Sequence, residues 1–279
     1  MFETLPVRAC TNRVRAVEGI RAELLLAGLG GACENPCLMK SIPTVIAGGA
    51  VAAAAGVFAW GAVAASAQLF GPTIRHTGDT SALALTFDDG PNPAITPALL
   101  DLLDGHGARA TFFQIGERIR AFPALSREVV RRGHALGNHT DTHPRLTFLS
   151  RGRIREELAR CNDALASATG RKTRWMRPPY GYRGPQLEPV LREQDEKARV
   201  VMWSRSGRDW KLRSSEKMIQ RLRHVRGGDI VLLHDGDHRT PEGDRRHTIA
   251  GLEYWLPRWK DAGIRLVSLD EVAQAGFAG

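Results

Sequence analysis

Between residues 80 and 270, short apolar segments alternate with amphipathic segments of helical period, and that alternation restricts the chain to a parallel sheet. Strands are expected at 82–88, 109–115, 134–138, 174–178, 198–204, 229–234 and 264–268. Helical patterns fall between them at 95–104, 123–132, 151–168, 186–195, 214–224 and 247–262, several opening on Pro or Ser and closing near Gly. A run of βα units makes either a doubly wound sheet or a barrel. In both, reactive side chains gather at the C-terminal ends of the strands. No internal repeat interrupts the pattern, so residues 80–279 read as one domain.

The polar clusters sit where that rule places them. The strand ending Thr86-Phe87-Asp88-Asp89 runs into Gly90-Pro91. Neighbouring strand side chains face opposite ways, so a bend at Gly90-Pro91 is expected to bring both carboxylates into one cleft. His139-Thr140-Asp141-Thr142-His143 follows the next short strand, and two His four apart share one face of a helical turn. Surface His pairs of this spacing arise by chance. Beside Asp88-Asp89, however, they complete a two-His, one-carboxylate set that leaves coordination positions open. Arg177-Pro178-Pro179-Tyr180-Gly181 reads either as a stiff loop with a solvated Arg or as a turn that fixes Arg177 beside an acid and aims the Tyr180 N–H into the cleft. Asp209-Trp210 follows another strand, and Leu232-Leu233-His234-Asp235 carries a strand straight into a titratable His. Alternation puts Leu232 on the His234 side.

Five ordered motifs, Thr86-Phe87-Asp88-Asp89-Gly90, His139-Thr140-x-x-His143, Arg177-Pro178-Pro179-Tyr180-Gly181, Asp209-Trp210 and Leu232-Leu233-His234-Asp235, resemble the NodB-homology polysaccharide deacetylases, carbohydrate esterase family 4. They span nearly all of residues 80–270. The resemblance implies an α/β fold: a distorted, incompletely closed (β/α) barrel, here of about seven parallel strands. It implies that Asp89, His139 and His143 bind a divalent metal, Zn2+ first, and that Asp88 is the general base kept ionised by Arg177. It further implies that Tyr180 offers its backbone N–H to an oxyanion and that His234 is the general acid. Asp209 would orient His234, and Trp210 with Leu232 would wall the acetyl pocket. One departure stands out: many relatives carry an additional Asp in the run before Asp-Trp, where this chain has Ser206.

The implied activity is hydrolysis of N-acetyl groups on an amino-sugar polymer or oligosaccharide, peptidoglycan or chitin-type. An acetyl-ester hydrolase on xylan-type glycans is the nearest alternative, because amide and ester hydrolysis pass through similar tetrahedral species. A carbohydrate-binding protein without catalysis on the same fold is a third reading, disfavoured because every ligand and the base are present.

Ahead of this domain, residues 42–67 contain no charged residue and Lys40 stands just before them. The run is long enough for a membrane anchor, while Ala65-Ser66-Ala67 suits signal cleavage; a buried helix is a third reading. Both leading readings place residues 80–279 outside the cytoplasm, anchored and facing outward or released. Residues 1–38 mix acids with Arg and make a poor signal start, so Met39 is the expected initiator, followed by an anchor or signal at 39–70 and a linker at 71–79. Three of four Cys precede Met39 and only Cys161 lies in the domain, which excludes an intradomain disulfide. The net charge of +9 suits an anionic polymer, but the Arg residues are scattered without a recognised motif, and nucleic acid is excluded as the expected partner.

Overall fold

The computed structural model describes residues 36–274. Its strands are β1 Thr73–Ile74, β2 Ala82–Gly90, β3 Ala110–Gln114, β4 Ala135–Asn138, β5 Trp175–Met176, β6 Arg199–Val201, β7 Arg205–Ser206, β8 Ile230–His234 and β9 Arg265–Leu266. Its helices are α1 Pro36–Val63, α2 Thr96–Gly105, α3 Gly116–Ala121, α4 Pro123–Arg131, α5 Arg151–Thr169, α6 Leu187–Gln194, α7 Asp209–Leu212, α8 Ser215–Leu222, α9 Arg246–Asp261 and α10 Leu269–Gln274. The expected alternation holds, and several helix ends carry the signals their sequence promised. Pro stands in the first turn of α2 and α4, Ser150 Oγ accepts from the Arg153 N–H at the start of α5, and Gly170 closes α5 in the left-handed conformation.

Strand order is β1-β6-β5-β4-β3-β2-β8-β7, with β9 beside the start of β2. Every pairing between these strands is parallel. Among the described residues no ladder joins β1 to β7, so the barrel is distorted and incompletely closed, as expected. Among the described residues it has nine strands rather than about seven. The two unforeseen ones, β1 and β7, are two residues long and too short to show a period in sequence.

β2 is buried along its whole length. Leu83, Leu85 and Phe87 point outward into the helix layer, where they meet Leu99, Leu100 and Leu103 of α2 and Leu252 and Leu256 of α9. Ala84 points into the barrel with Phe113, Trp175, Val201 and Ile230. Two-sided burial explains why β2 reads as a continuous apolar run. Parallel register then brings Asp88 opposite both Phe113 and His234, and Asn138 opposite Gln114 and Met176, so the polar residues at the strand ends share one rim.

The chain divides into two units, residues 1–52 and 53–279. The tail expected at 1–38 lies outside the described residues up to residue 35. Among the described residues no helix is long and apolar enough to cross a membrane. Residues on both sides of position 70 contact later parts of the chain. Ala62 and Ala67 are buried, Ala62 O accepts from the Arg183 N–H, and Arg183 Nη2 donates to Ala67 O. Residues 73–74, expected within a linker, pair with β6.

Candidate active site

The ten expected residues converge at the C-terminal rim of the barrel. A cavity of about 390 Å³ there is lined by Asp88, Asp89, His139, His143, Tyr180, Trp210, Leu232 and His234. Arg177 and Asp209 lie behind that lining, both wholly buried.

Both acids reach the cavity by a device that the sequence did not reveal. The bend was expected at Gly90-Pro91; it falls at Asp89, which has φ of 71° and breaks register between Asp88 and Gly90. This bulge inserts an extra residue and turns the second carboxylate toward the same side as the first. Glycine follows of necessity, since a Cβ at Gly90 would stand 2.3 Å from Asp235 Oδ2.

The histidine pair is likewise not on a helical turn. Residues 139–143 form a loop in which Thr140 and His143 have φ of 66° and 60°. Asn138 Oδ1 accepts from the Thr140 N–H, Glu157 accepts from the N–H groups of Asp141 and Thr142, and Thr140 Oγ1 accepts from the His143 N–H. Arg120 and Arg160 grip the buried Asp141 carboxylate at 2.6 and 2.9 Å. These contacts hold a strained loop, and it points both imidazoles at Asp89.

Asp89 Oδ1 lies 3.4 Å from His139 Nε2 and 3.2 Å from His143 Nε2, is buried, and makes no hydrogen bond. Zn–N and Zn–O bonds of about 2.0–2.2 Å at tetrahedral angles separate donor atoms by about 3.3–3.5 Å. The three residues, whose ligand atoms lie within 4.8 Å of one another, therefore fit a divalent cation. His139 Nδ1 meets Arg177 O at 2.8 Å, the kind of outer contact that fixes a ligand's tautomer. Burial pushes the Asp89 carboxyl up, but His139, His143 and His238 outweigh it and hold it well below the usual range. Burial lowers His143, which favours the neutral ring that a ligand needs.

Arg177 plugs the barrel top. Its Nη1 donates to Asp88 Oδ1 at 2.8 Å and Thr86 Oγ1 at 2.7 Å, Nε donates to Val201 O, and Nη2 donates to Met202 O. Its guanidinium lies 4.2 Å from the Phe113 ring centroid. Across the cavity, Asp209 Oδ1 faces His234 Nδ1 at 2.9 Å, while Oδ2 accepts from the His234 N–H at 2.7 Å and from Thr248 Oγ1 at 2.9 Å. Burial alone would depress His234, but the Asp209 charge, aided by Asp89 and Asp88, raises it to about 9. Trp210 stands edge-on to the His234 ring at 5.1 Å. Ser206 lies on β7 opposite Leu232, and its Oγ accepts from the Arg208 N–H.

Several lining residues carried no sequence signal. Trp203, Arg213 and the loop residues Asp237, His238, Arg239 and Thr240 complete the wall. His238 is a lone His in a polar loop, and only folding sets it against Asp89. Asp235, noted merely as the motif's last residue, is buried and pushed up to about 7, chiefly by burial, while Thr96 Oγ1 donates to it.

An open parallel barrel whose rim sets a buried Asp–His–His cluster between an Arg-paired carboxylate and a charged histidine has the make-up of a hydrolase. Residues 75–198 match the polysaccharide deacetylase family model. The chitooligosaccharide deacetylase of Azorhizobium caulinodans is 36% identical over 72% of this chain and 99% of its own. A peptidoglycan-N-acetylglucosamine deacetylase of Bacillus cereus is 36% identical over 68% of this chain and 87% of its own. Among solved structures, the peptidoglycan deacetylase PdaC from Bacillus subtilis superposes with a TM-score of 0.62 at 30% identity, covering 71% of this chain and 94% of that one. The chain belongs to the polysaccharide deacetylase family and is a carbohydrate deacetylase.

Proposed function

We propose that the protein removes the N-acetyl group from N-acetylglucosamine units of a glycan, peptidoglycan or chitooligosaccharide, with a divalent cation, Zn2+ first, held by Asp89, His139 and His143. The observation that carries this reading is the pair of oppositely equipped groups flanking that cluster, Asp88 tied to Arg177 and His234 tied to Asp209. Amide hydrolysis needs an activated water, a polarised carbonyl and a proton for the departing amine. The cation supplies Lewis-acid polarisation and lowers the pKa of water.

The chain's own residues do the rest. Asp88 takes the water's proton, and its ion pair with Arg177 keeps the carboxylate aimed across the cavity. The Tyr180 N–H donates to the developing oxyanion, the left-handed φ of 60° at this residue turning its peptide out of the helical path. His234 gives its proton to the sugar nitrogen, and Trp210 and Leu232 enclose the acetyl methyl. Acetate release from N-acetylglucosamine oligomers, peptidoglycan and acetylated xylan tests the reading. Release from the first two that falls at least about a hundredfold in Asp88→Asn supports it; release from xylan alone moves the assignment to an esterase, and sugar binding without release in zinc-loaded protein removes catalysis.

The charge-free N-terminal run and the polymeric substrates named for the relatives together support action outside the cytoplasm. Fractionation of producing cells tests this, and activity confined to the cytosol overturns it.

A further inference from the structure

We propose that His238 is a positioning residue for the metal-holding carboxylate of Asp89, braced in turn by the Tyr180 hydroxyl. This rests on the reading that Asp89, His139 and His143 hold a divalent cation. His238 Nδ1 stands 3.6 Å from Asp89 Oδ2, the oxygen that the His139 and His143 contacts leave over. Its Nε2 stands 3.2 Å from Tyr180 Oη. A neutral ring that sets Nδ1–H toward the carboxylate Oδ2 leaves Nε2 to accept from the Tyr180 O–H.

The ring has little freedom to leave. It stacks on His143 with centroids 4.3 Å apart and planes 21° apart, and Tyr180 packs edge-on against both rings. The loop backbone is tied down as well. Arg118 Nη2 donates to His238 O at 3.2 Å, Arg245 Nε donates to Gly236 O at 2.7 Å, and Arg245 Nη2 meets Asp237 Oδ2 at 3.1 Å. At Gly236 a Cβ would lie 2.2 Å from Asp89 O, so the loop enters directly over the backbone of the residue it serves.

His238 is outside the cluster of converging donors, which assigns it to orienting rather than ligating. A carboxylate with one oxygen occupied by a donor offers the other alone to the cation. Closing the 3.6 Å contact by about 0.6 Å gives an ordinary N–H···O bond, well within side-chain adjustment. Outer-shell partners of this type are worth about 10–100-fold in metal affinity.

The test is calorimetric titration of metal-stripped, full-length protein with Zn2+ against a competing chelator, with circular dichroism to verify folding. His238→Ala should weaken Zn2+ binding about 10–100-fold, and Tyr180→Phe should weaken it by less. His238→Asn, whose amide N–H reaches the place of Nδ1, should recover most of the loss, which a purely packing role on His143 would not allow. Folded His238→Ala that binds Zn2+ within about twofold of wild type overturns the inference, as does His238→Asn no better than His238→Ala. Wild-type protein that binds no Zn2+ overturns it together with the metal reading. Wild-type protein that binds Zn2+ but releases no acetate removes the proposed reaction and leaves the role of His238 standing.

Discussion

Asp209→Asn separates charge from shape at the acid side of the cavity. Asp209 is fully buried and receives three donors on two oxygens: His234 Nδ1–H, His234 N–H and Thr248 O–H. An Asn that keeps its oxygen toward Nδ1 sets its NH2 against the His234 N–H, and one that flips sets NH2 against Nδ1 and forces the neutral Nε2–H tautomer. Either way the imidazolium loses its counter-charge while its burial persists, so the ring falls from about 9 to its ordinary 6.5 or below. A drop of about 2.5 pH units corresponds to about 3.4 kcal/mol. At pH 8 the protonated fraction goes from roughly 90% to roughly 3%, a loss of about thirtyfold in competent acid.

The assay is a 15N or 13C NMR titration of the His234 ring in metal-free protein, paired with kcat for acetate release against pH in the metal-loaded enzyme. Wild-type activity should fall as pH rises through the His234 titration, and in Asp209→Asn that limb should move down by about two units or more. Stability follows the same group. A histidine raised in the folded state contributes fully below its unfolded value of about 6.5 and loses that contribution as pH rises through about 9. Wild-type stability should therefore decline across that window, and the variant should lack the decline. A His234 ring in folded Asp209→Asn that still titrates near 9 would refute the assignment of the shift to Asp209.

Two of the buried arginines, Arg177 and Arg183, should respond differently to the same change. Arg177→Met strands the Asp88 carboxylate and leaves Thr86 Oγ1 and the carbonyls of Val201 and Met202 without this donor, so chemical denaturation should show a loss of about 3–5 kcal/mol, together with loss of acetate release. Arg183→Met removes a buried cation that has no carboxylate partner and whose Nε and Nη1 are unsatisfied; its loss of one bond to Ala67 O should leave stability within about 1 kcal/mol of wild type. A loss for Arg183→Met as large as that for Arg177→Met would contradict the distinction.

What was legible in the sequence is what local chemistry controls. Helices α2, α4, α5, α6, α8 and α9 lie within two residues of their expected bounds, because Pro, Ser and Gly mark their ends and apolar period marks their buried faces. The long strand β2 was legible for the same reason. Three helices, α3, α7 and α10, were not, being short and held by contacts remote in sequence: the Gly116 and Glu117 N–H groups donate to Thr140 O and Asp141 O, and the Leu269 N–H donates to Thr111 Oγ1. Residue identities at the rim were legible too, since the strand-end rule and the ordered motifs both point to them. Their conformations were not. A helical turn and a Gly-Pro bend are the ordinary solutions for His-x3-His and Asp-Asp-Gly-Pro, whereas this site uses positive φ at Asp89, Thr140, His143 and Tyr180.

Those four positions explain how adjacent acids come to meet different partners. Positive φ at a residue other than Gly costs on the order of 1–3 kcal/mol and persists where surroundings over-determine it. Here the surroundings are the partners that distinguish the two carboxylates. Asp88 remains in regular register beside His234 and is drawn inward by Arg177, whereas Asp89, rotated out of the ladder, meets His139 and His143. Had the strand continued regularly, alternation would have sent one carboxylate into the helix layer with Phe87. The bulge at Asp89 thus turns one carboxylate of the motif toward Arg177 and His234 and the other toward His139 and His143, and His238 stands over the second oxygen of Asp89.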